Sequence, residues 1–93
     1  QLVPQAWMQQ ATKRFMQSNG ATAPYGFTFW VMDEWEDVPT DTFASRGHNM
    51  NDCYVVPSLD LVVARQGNDN PAGLARGHFA KTLVQMIVAA VLE

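Results

Sequence analysis

The sequence predicts an α+β fold in which an antiparallel sheet of about four strands is flanked by an N-terminal and a C-terminal helix. Apolar residues recur at helical spacing at both ends of the chain, and short apolar segments with strand character lie between them. The connections between these segments are too short for parallel neighbours, so the strands are expected to pair antiparallel. With 93 residues the chain has room for one modest core, and we expect residues 1–93 to form a single segment.

The N-terminal helix is predicted from Pro4, which suits the first turn of a helix, and from an apolar stripe at four-residue steps. The stripe consists of Val3, Trp7, Ala11 and Phe15. Ser18-Asn19-Gly20 is expected to end this helix, because Asn and Gly tolerate the left-handed conformation found at helix ends.

Four strands are predicted in the middle of the chain. The first, Tyr25–Met32, places apolar side chains on both faces, so both faces are expected to be covered. The acidic segment Asp33–Thr40 carries Pro39 and is interpreted as a solvated loop. The remaining strands are Thr42–His48, Asp52–Val56 and Leu59–Arg65, separated by turns at Asn49-Met50-Asn51 and Pro57-Ser58.

The C-terminal helix is predicted after a polar loop at Gln66–Gly73. Its expected buried stripe contains Ala80, Leu83, Val84, Ile87, Val88 and Val91. Lys81, Gln85 and Glu93 are expected outside this stripe. The spacing is typical of a helix that packs one face on a sheet.

Charge and hydropathy exclude two classes of partner. The chain has 6 Lys and Arg against 9 Asp and Glu, a net charge of −3, and no basic run, whereas nucleic-acid binding requires clustered cations. The longest wholly apolar stretch of the C-terminal segment, Met86–Leu92, is far shorter than the ~20 residues of a membrane span. We therefore expect no nucleic-acid partner and no membrane span.

The cysteine content and the first residue of the chain bear on disulfide formation and on processing. Cys53 is the one cysteine, so an internal disulfide is excluded. The chain begins with Gln1 and shows neither an initiator Met nor a signal-like segment, which predicts that it is a piece of a longer protein.

Four side chains are of the types that bind zinc: His48, Asp52, Cys53 and His78. Asp52 and Cys53 point to opposite faces of one predicted strand, and the chain has no Cys-x-x-Cys or His-x-x-x-His pair. No metal site is therefore predicted, and Cys53 is interpreted as a small core residue.

Gly47 lies inside a predicted strand, where a glycine weakens packing. Such a glycine marks either a bulge before the turn at Asn49-Met50-Asn51 or a place where another backbone or a ligand comes close. The residue pattern leaves both interpretations open.

Three segments carry a resemblance to a known superfamily. They are Tyr25-Gly26-Phe27-Thr28-Phe29-Trp30, Phe43-Ala44-Ser45-Arg46-Gly47-His48 and Tyr54-Val55-Val56-Pro57-Ser58-Leu59-Asp60-Leu61-Val62-Val63. In this order and spacing they resemble the C-terminal part of serine beta-lactamases and penicillin-binding proteins, most closely the class C-like esterase and hydrolase branch. The resemblance covers residues 24–67. It implies a beta-lactamase/transpeptidase-like fold, with this chain as the C-terminal part of the α/β domain.

By this resemblance, Ser45, Arg46, Gly47 and His48 form the active-site wall that carries the family's Lys-Thr-Gly or His-x-Gly element. Gly47 would let substrate approach the strand edge, and the backbone N–H of His48 would be an oxyanion-hole donor. Ser45 stands where Lys or His is usual, so Arg46 would have to supply any cation. Asn49-Met50 replaces the Gly-Gly pair that often follows in the family.

The motif that holds the family's nucleophile, Ser-x-x-Lys, is missing from this chain. The residues three places after Ser18, Ser45 and Ser58 are Ala21, His48 and Leu61. The family's Tyr-x-Asn or Tyr-x-Ser element is missing as well. The catalytic residues are therefore expected upstream, in the remainder of the same protein, and this chain alone is expected to be inactive.

The resemblance implies acyl transfer on an ester, amide or lactam, with a small-molecule or peptide substrate, no metal or organic cofactor, and export to the periplasm or the extracellular space. The alternative is a self-contained small α+β binding or assembly module, in which Gly47 is a bulge and the aromatic residues are core. A third interpretation is a non-catalytic homologue that serves as a binding domain.

Overall fold

The predicted four-stranded antiparallel sheet forms the centre of the computed structural model, which describes residues 2–67 and 76–93. In chain order the elements are α1 (Gln5–Ala11), β1 (Phe15–Met16), β2 (Thr22–Ala23), β3 (Trp30–Val31), β4 (Phe43–Arg46), β5 (Asp52–Val56), β6 (Leu61–Arg65) and α2 (Arg76–Leu92). The central sheet has the order β3-β4-β5-β6, and β1 and β2 form a separate hairpin. The α+β class and the two helices are as the sequence predicts.

The second half of the sheet follows the predicted strands closely. β4 pairs with β5 from Phe43↔Val55 to Arg46↔Asp52, and β5 pairs with β6 along its whole length. β6 begins later than predicted because Pro57–Leu59 forms a 3-10 turn that ends at Asp60 with a φ of 51°. Short connections of this kind keep neighbouring strands antiparallel.

The core lies between α2 and one face of the sheet. Its buried residues are Met32, Val38, Ala44, Met50, Tyr54, Val63, Ala80, Val84 and Val88. The predicted helical stripe is confirmed at Ala80, Val84 and Val88, whereas Val91 is 48% exposed near the end of the helix. The predicted loop at Gln66–Gly73 lies outside the described residues after Gly67.

The N-terminal helix is shorter than predicted, and its apolar stripe is not continuous. α1 ends at Ala11, whose carbonyl oxygen accepts a hydrogen bond of 3.1 Å from the N–H of Phe27. In a longer helix that oxygen would accept from Phe15, four residues on. Phe15 instead donates its N–H to Tyr25 at 2.9 Å and belongs to β1.

Ser18-Asn19-Gly20 is consequently the turn of a hairpin and not the end of a helix. Gly20 has a φ of 85°, and Asn19 accepts the N–H of Ala21 on its side-chain oxygen at 3.0 Å. Asn and Gly serve left-handed hairpin turns for the same backbone reason that they serve helix ends. Gly20 thus takes the left-handed conformation expected in this segment, whereas Asn19 acts through its side chain, and the predicted helix end was wrong.

The predicted strand Tyr25–Met32 is also wrong in its first half. Gly26 donates its N–H to Phe29 at 2.7 Å, and Tyr25 bridges Trp30, so residues 26–29 form a turn. A side chain at Gly26 would overlap the carbonyl group of Ala11. The turn can therefore pack this closely against α1 only because residue 26 is a glycine. Two of the aromatic residues of this predicted strand contact each other here, with the Tyr25 and Trp30 rings 5.0 Å apart. A third, Phe27, contacts Trp7 of α1, with the two rings 5.0 Å apart.

Candidate functional site

The residues singled out by the sequence, Ser45 to His48, lie where β4 runs beyond its neighbour β3. β3 pairs Val31 with Phe43 and Trp30 with Ala44, and its pairing ends there. Within the described residues, the edge of β4 at Ser45 and Arg46 therefore has β5 on one side and no strand on the other. An uncovered strand edge of this kind presents backbone donors and acceptors to another chain or to a ligand.

The backbone at Gly47 directs successive N–H groups to opposite sides. Gly47 is extended, with φ −121° and ψ −176°, and its N–H donates to the carbonyl of Asn51 at 3.0 Å and to Asp52 Oδ1 at 3.3 Å. In extended backbone the next N–H points the other way. The N–H of His48 therefore faces the uncovered edge, and the described residues give it no acceptor.

Gly47 is a close-approach glycine and not a residue with a left-handed backbone. A Cβ atom at this position would lie 3.0 Å from the carbonyl oxygen of Asn51, which is tighter than ordinary van der Waals contact. The nearest group is thus the backbone of the chain's own turn. Of the two interpretations left open by the sequence, the structure favours close approach of a second backbone.

The left-handed residues of this turn are Asn49 and Met50, with φ values of 56° and 61°. Two successive residues of positive φ are characteristic of type I′ hairpin turns, where Gly and Asn are preferred. The turn is closed by a hydrogen bond of 3.2 Å from the Asn51 N–H to the His48 carbonyl. A Gly-Gly pair would therefore suit the backbone at these positions. Met50 adopts the unfavourable positive φ although it is only 2% exposed.

Ser45 and Arg46 point to opposite faces of the sheet. Arg46 lies on the α2 face, with its guanidinium carbon 5.8 Å from the centre of the Trp30 ring and its Nε 3.8 Å from Asp52 Oδ2. Ser45 is exposed on the other face, beside Cys53 of β5. The Arg46 charge therefore lies on the face of the sheet opposite the Ser45 hydroxyl.

Asp52 is a site residue that sequence reasoning considered only as a metal ligand. Its side chain is 1% exposed, and its Oδ2 accepts a hydrogen bond of 2.8 Å from the Tyr54 hydroxyl. The signal was present in the alternation along β5, because Asp52, Tyr54 and Val56 all face α2. A carboxylate at a position that strand periodicity places inside indicates a buried polar contact.

Within the described residues, the candidate zinc ligands His48, Asp52 and Cys53 do not form a cluster. Asp52 and Cys53 lie on opposite faces of β5, as the alternation predicts, and among the described residues no three His, Cys, Asp or Glu side chains cluster. The His48 side chain is exposed, and the side chain of His78 lies outside the described residues.

A pocket of about 260 Å³ lies beside Arg46, lined by Trp30, Trp35 and Arg14 among others. Arg14 donates from Nε to both carboxylate oxygens of Asp33, at 2.8 and 2.9 Å. This hydrogen bond raises the pKa of Arg14 above its ordinary value, and the charges of Asp33 and Glu34 add to the shift. Asp33, which lies in the predicted solvated loop, is therefore engaged in an ion pair. Arg46 is the other arginine that lines this pocket.

The face of the sheet opposite α2 is open. It carries Phe43, Ser45, Cys53, Val55, Val62 and Ala64, paired across strands in two rows. Val62 is 62% exposed, whereas its neighbour Val63, on the α2 face, is 8% exposed. An apolar sheet face of this kind is typical of a surface that another layer covers.

In the described part of the chain, neither helix combines the length and the apolar character that crossing a bilayer requires. Comparison with protein-family models, with curated proteins and with solved structures finds no match to this chain.

Proposed function

We propose that this chain is the C-terminal portion of a serine hydrolase related to beta-lactamases and supplies the strand that borders an active site completed by the remainder of the same protein. The reaction is acyl transfer on an ester, amide or lactam. The observation that carries the proposal is the His48 N–H, which faces the uncovered edge of β4 without an acceptor among the described residues. An N–H donor fixed in this way can stabilise the oxyanion that forms when an acyl carbonyl is attacked.

The open sheet face supports the same proposal. Phe43, Cys53 and Val55 are only half-buried there, and Val62 is largely exposed. A second layer from the remainder of the protein would bury this face and bring a nucleophile to the same edge of β4. The sheet would then be covered on both sides, as the middle sheet of a three-layer domain is.

Among the residues that the structure describes, none of the chain's own serines is hydrogen-bonded to a histidine or a lysine. Within the described residues, Ser45 Oγ has no hydrogen-bond partner, and Ser58 Oγ binds Asp41 Oδ1 at 2.9 Å while the Ser58 N–H binds the other oxygen. Together the two Ser58–Asp41 hydrogen bonds cap a turn, and neither involves a histidine or a lysine. A serine without an adjacent base is a weak nucleophile, so the nucleophile belongs to the remainder of the protein.

A self-contained binding module remains the second candidate, and one observation favours it. The chain builds a continuous core between α2 and the sheet, in which Ala44, Tyr54, Val84 and Val88 are each no more than 1% exposed. A module with its own core can fold without further chain. In that case the open sheet face and the edge of β4 are surfaces for a protein partner.

The experiment that separates the two is labelling of the full-length protein that contains this chain. A fluorescent phosphonate directed at nucleophilic serines is applied, and the labelled peptide is identified by mass spectrometry. We expect one labelled serine, outside residues 1–93 and followed three places later by Lys. A full-length protein that takes no label, or one labelled at Ser45, would contradict the proposal.

A further inference from the structure

Asp52 holds the turn that carries the proposed oxyanion donor. Its buried carboxylate accepts the N–H of Gly47 on Oδ1 at 3.3 Å and the hydroxyl of Tyr54 on Oδ2 at 2.8 Å. Hydrogen bonds to an ionised, buried acceptor are stronger than those between neutral groups. The carboxylate therefore connects the peptide before Gly47 to a tyrosine whose own side chain is 1% exposed in the core.

The peptide that bears the His48 N–H is fixed on both sides. On one side, the Gly47 N–H is held by Asp52 and by the Asn51 carbonyl. On the other, the His48 carbonyl accepts from the Asn51 side chain at 2.7 Å and from the Asn51 N–H at 3.2 Å. With both neighbouring peptides held, the orientation of the His48 N–H is set before any substrate arrives, which is the condition for an effective oxyanion donor.

Arg65 holds the far side of the same turn. Its Nη1 donates to the carbonyl oxygens of Asn49 and Met50 at 2.9 and 3.1 Å. These two residues have the unfavourable left-handed backbone, so they depend on such contacts to persist. The turn is thus held by the Asp52 carboxylate on its N–H side and by the Arg65 guanidinium on its carbonyl side.

We infer that Asp52 is a positioning residue for acyl transfer: by accepting the Gly47 N–H, it aims the His48 N–H at the uncovered edge of β4. The inference rests on the proposed function. Asp52 itself does not touch the substrate, because its side chain lies in the core on the α2 face. Its effect is on the rate of acylation and not on substrate affinity.

The test compares Asp52→Leu with Asp52→Asn in the full-length protein. Leucine removes one of the two acceptors of the Gly47 N–H and leaves the Asn51 carbonyl, whereas asparagine keeps a side-chain oxygen for the Gly47 N–H and an amide that can donate to the Tyr54 hydroxyl. We expect Asp52→Leu to speed hydrogen exchange at the Gly47 amide and slow acylation by the phosphonate, each by about 10-fold to 100-fold. Asp52→Asn should restore most of both losses, and KM for an ester substrate should change little in either variant.

Val63→Ala is the matched control, because it weakens the same core without touching the turn. It should leave Gly47 exchange and acylation near wild type even where its unfolding midpoint falls as far as that of Asp52→Leu. Unchanged hydrogen exchange at Gly47 in Asp52→Leu, or loss of acylation in Val63→Ala, would overturn the positioning role of Asp52. Neither outcome would affect the proposed function. A wild-type protein that takes no label would instead overturn the proposed function, and with it this role in catalysis.

Discussion

Gly47 and Asn51 face each other across the β4–β5 turn so closely that the Gly47 N–H donates to the Asn51 carbonyl at 3.0 Å, and a Cβ on Gly47 would lie 3.0 Å from the same oxygen. One carbonyl thus limits both the conformation and the size of the residue at position 47. Because the φ of Gly47 is −121°, the limit is steric and not a matter of backbone strain.

We expect Gly47→Ala to destabilise the chain by about 1 kcal/mol and Gly47→Val by about 2 kcal/mol, because the added carbons press on the Asn51 carbonyl. Amide exchange at Gly47 should rise with the size of the side chain, and urea unfolding gives the two free energies. In the full-length protein, Gly47→Val should also slow acylation. Equal stability of Gly47→Val and wild type would contradict the close contact.

Met50 gives a test of the left-handed turn, because its φ is 61° although its side chain is buried. A left-handed backbone disfavours every residue with a Cβ by about 1–2 kcal/mol, so glycine is the better replacement here. Both Met50→Ala and Met50→Gly lose the core contact, which is worth about 2–5 kcal/mol. We expect Met50→Gly to be the more stable of the two in urea unfolding.

Met32 is the control for this order. It is 4% exposed in the same core and is not among the residues with positive φ. There Met32→Ala should be more stable than Met32→Gly, the usual order for a residue without backbone strain. The same order at both positions would mean that the Asn49-Met50 turn is not left-handed.

The sheet from β4 to β6 could be predicted because its pairing is local. Asp52–Val56 was predicted with the bounds it has, and the short turns around it leave antiparallel pairing as the available arrangement. The buried stripe of α2 could be predicted for a similar reason, since one regular period describes most of the helix. In both cases neighbouring residues in the sequence determine the structure.

The segment between α1 and β3 could not be predicted, because there a distant contact decides the structure. Phe15 has the right spacing for the α1 stripe, but the carbonyl of Ala11 is taken by Phe27, sixteen positions away in the sequence. The contacts of Arg46 could not be predicted for a related reason. Periodicity shows that Ser45 and Arg46 alternate, but not that Asp52 and Trp30 hold the guanidinium on the α2 face.

Gly26 and Gly20 test that N-terminal packing. A methyl group on Gly26 would overlap the Ala11 carbonyl, whereas one on Gly20 would meet no atom within 4 Å but would carry the strain of a φ of 85°. We expect Gly26→Ala to detach the 26–29 turn from α1 and change the NMR signal of the Trp7 indole. Gly20→Ala should cost about 1–2 kcal/mol and leave that signal in place. Identical behaviour of the two variants would contradict the close contact at Gly26.

The isolated chain should take no label from a serine-directed phosphonate, because none of its described serines is hydrogen-bonded to a histidine or a lysine, and the Ser58 hydroxyl binds the exposed Asp41 carboxylate as part of a turn. The measurement is intact mass after prolonged incubation, with the full-length protein as the positive control. Stoichiometric labelling at Ser18, Ser45 or Ser58 would show that this chain holds a nucleophile of its own.

Val62 and Val63 are neighbours in β6 that separate the two surfaces of the sheet. Val62, on the open face, is 62% exposed, and Val63, in the core, is 8% exposed. If the open face is a surface that another layer covers, the isolated chain should self-associate through it, and a charge there should prevent this. We expect Val62→Glu to shift the chain toward monomer in sedimentation velocity, with a free energy of unfolding within about 0.5 kcal/mol of wild type. Val63→Glu should unfold the chain, since it places an unpaired carboxylate in the core. A wild-type chain that stays monomeric at high concentration would favour the self-contained module over a segment that needs a second layer.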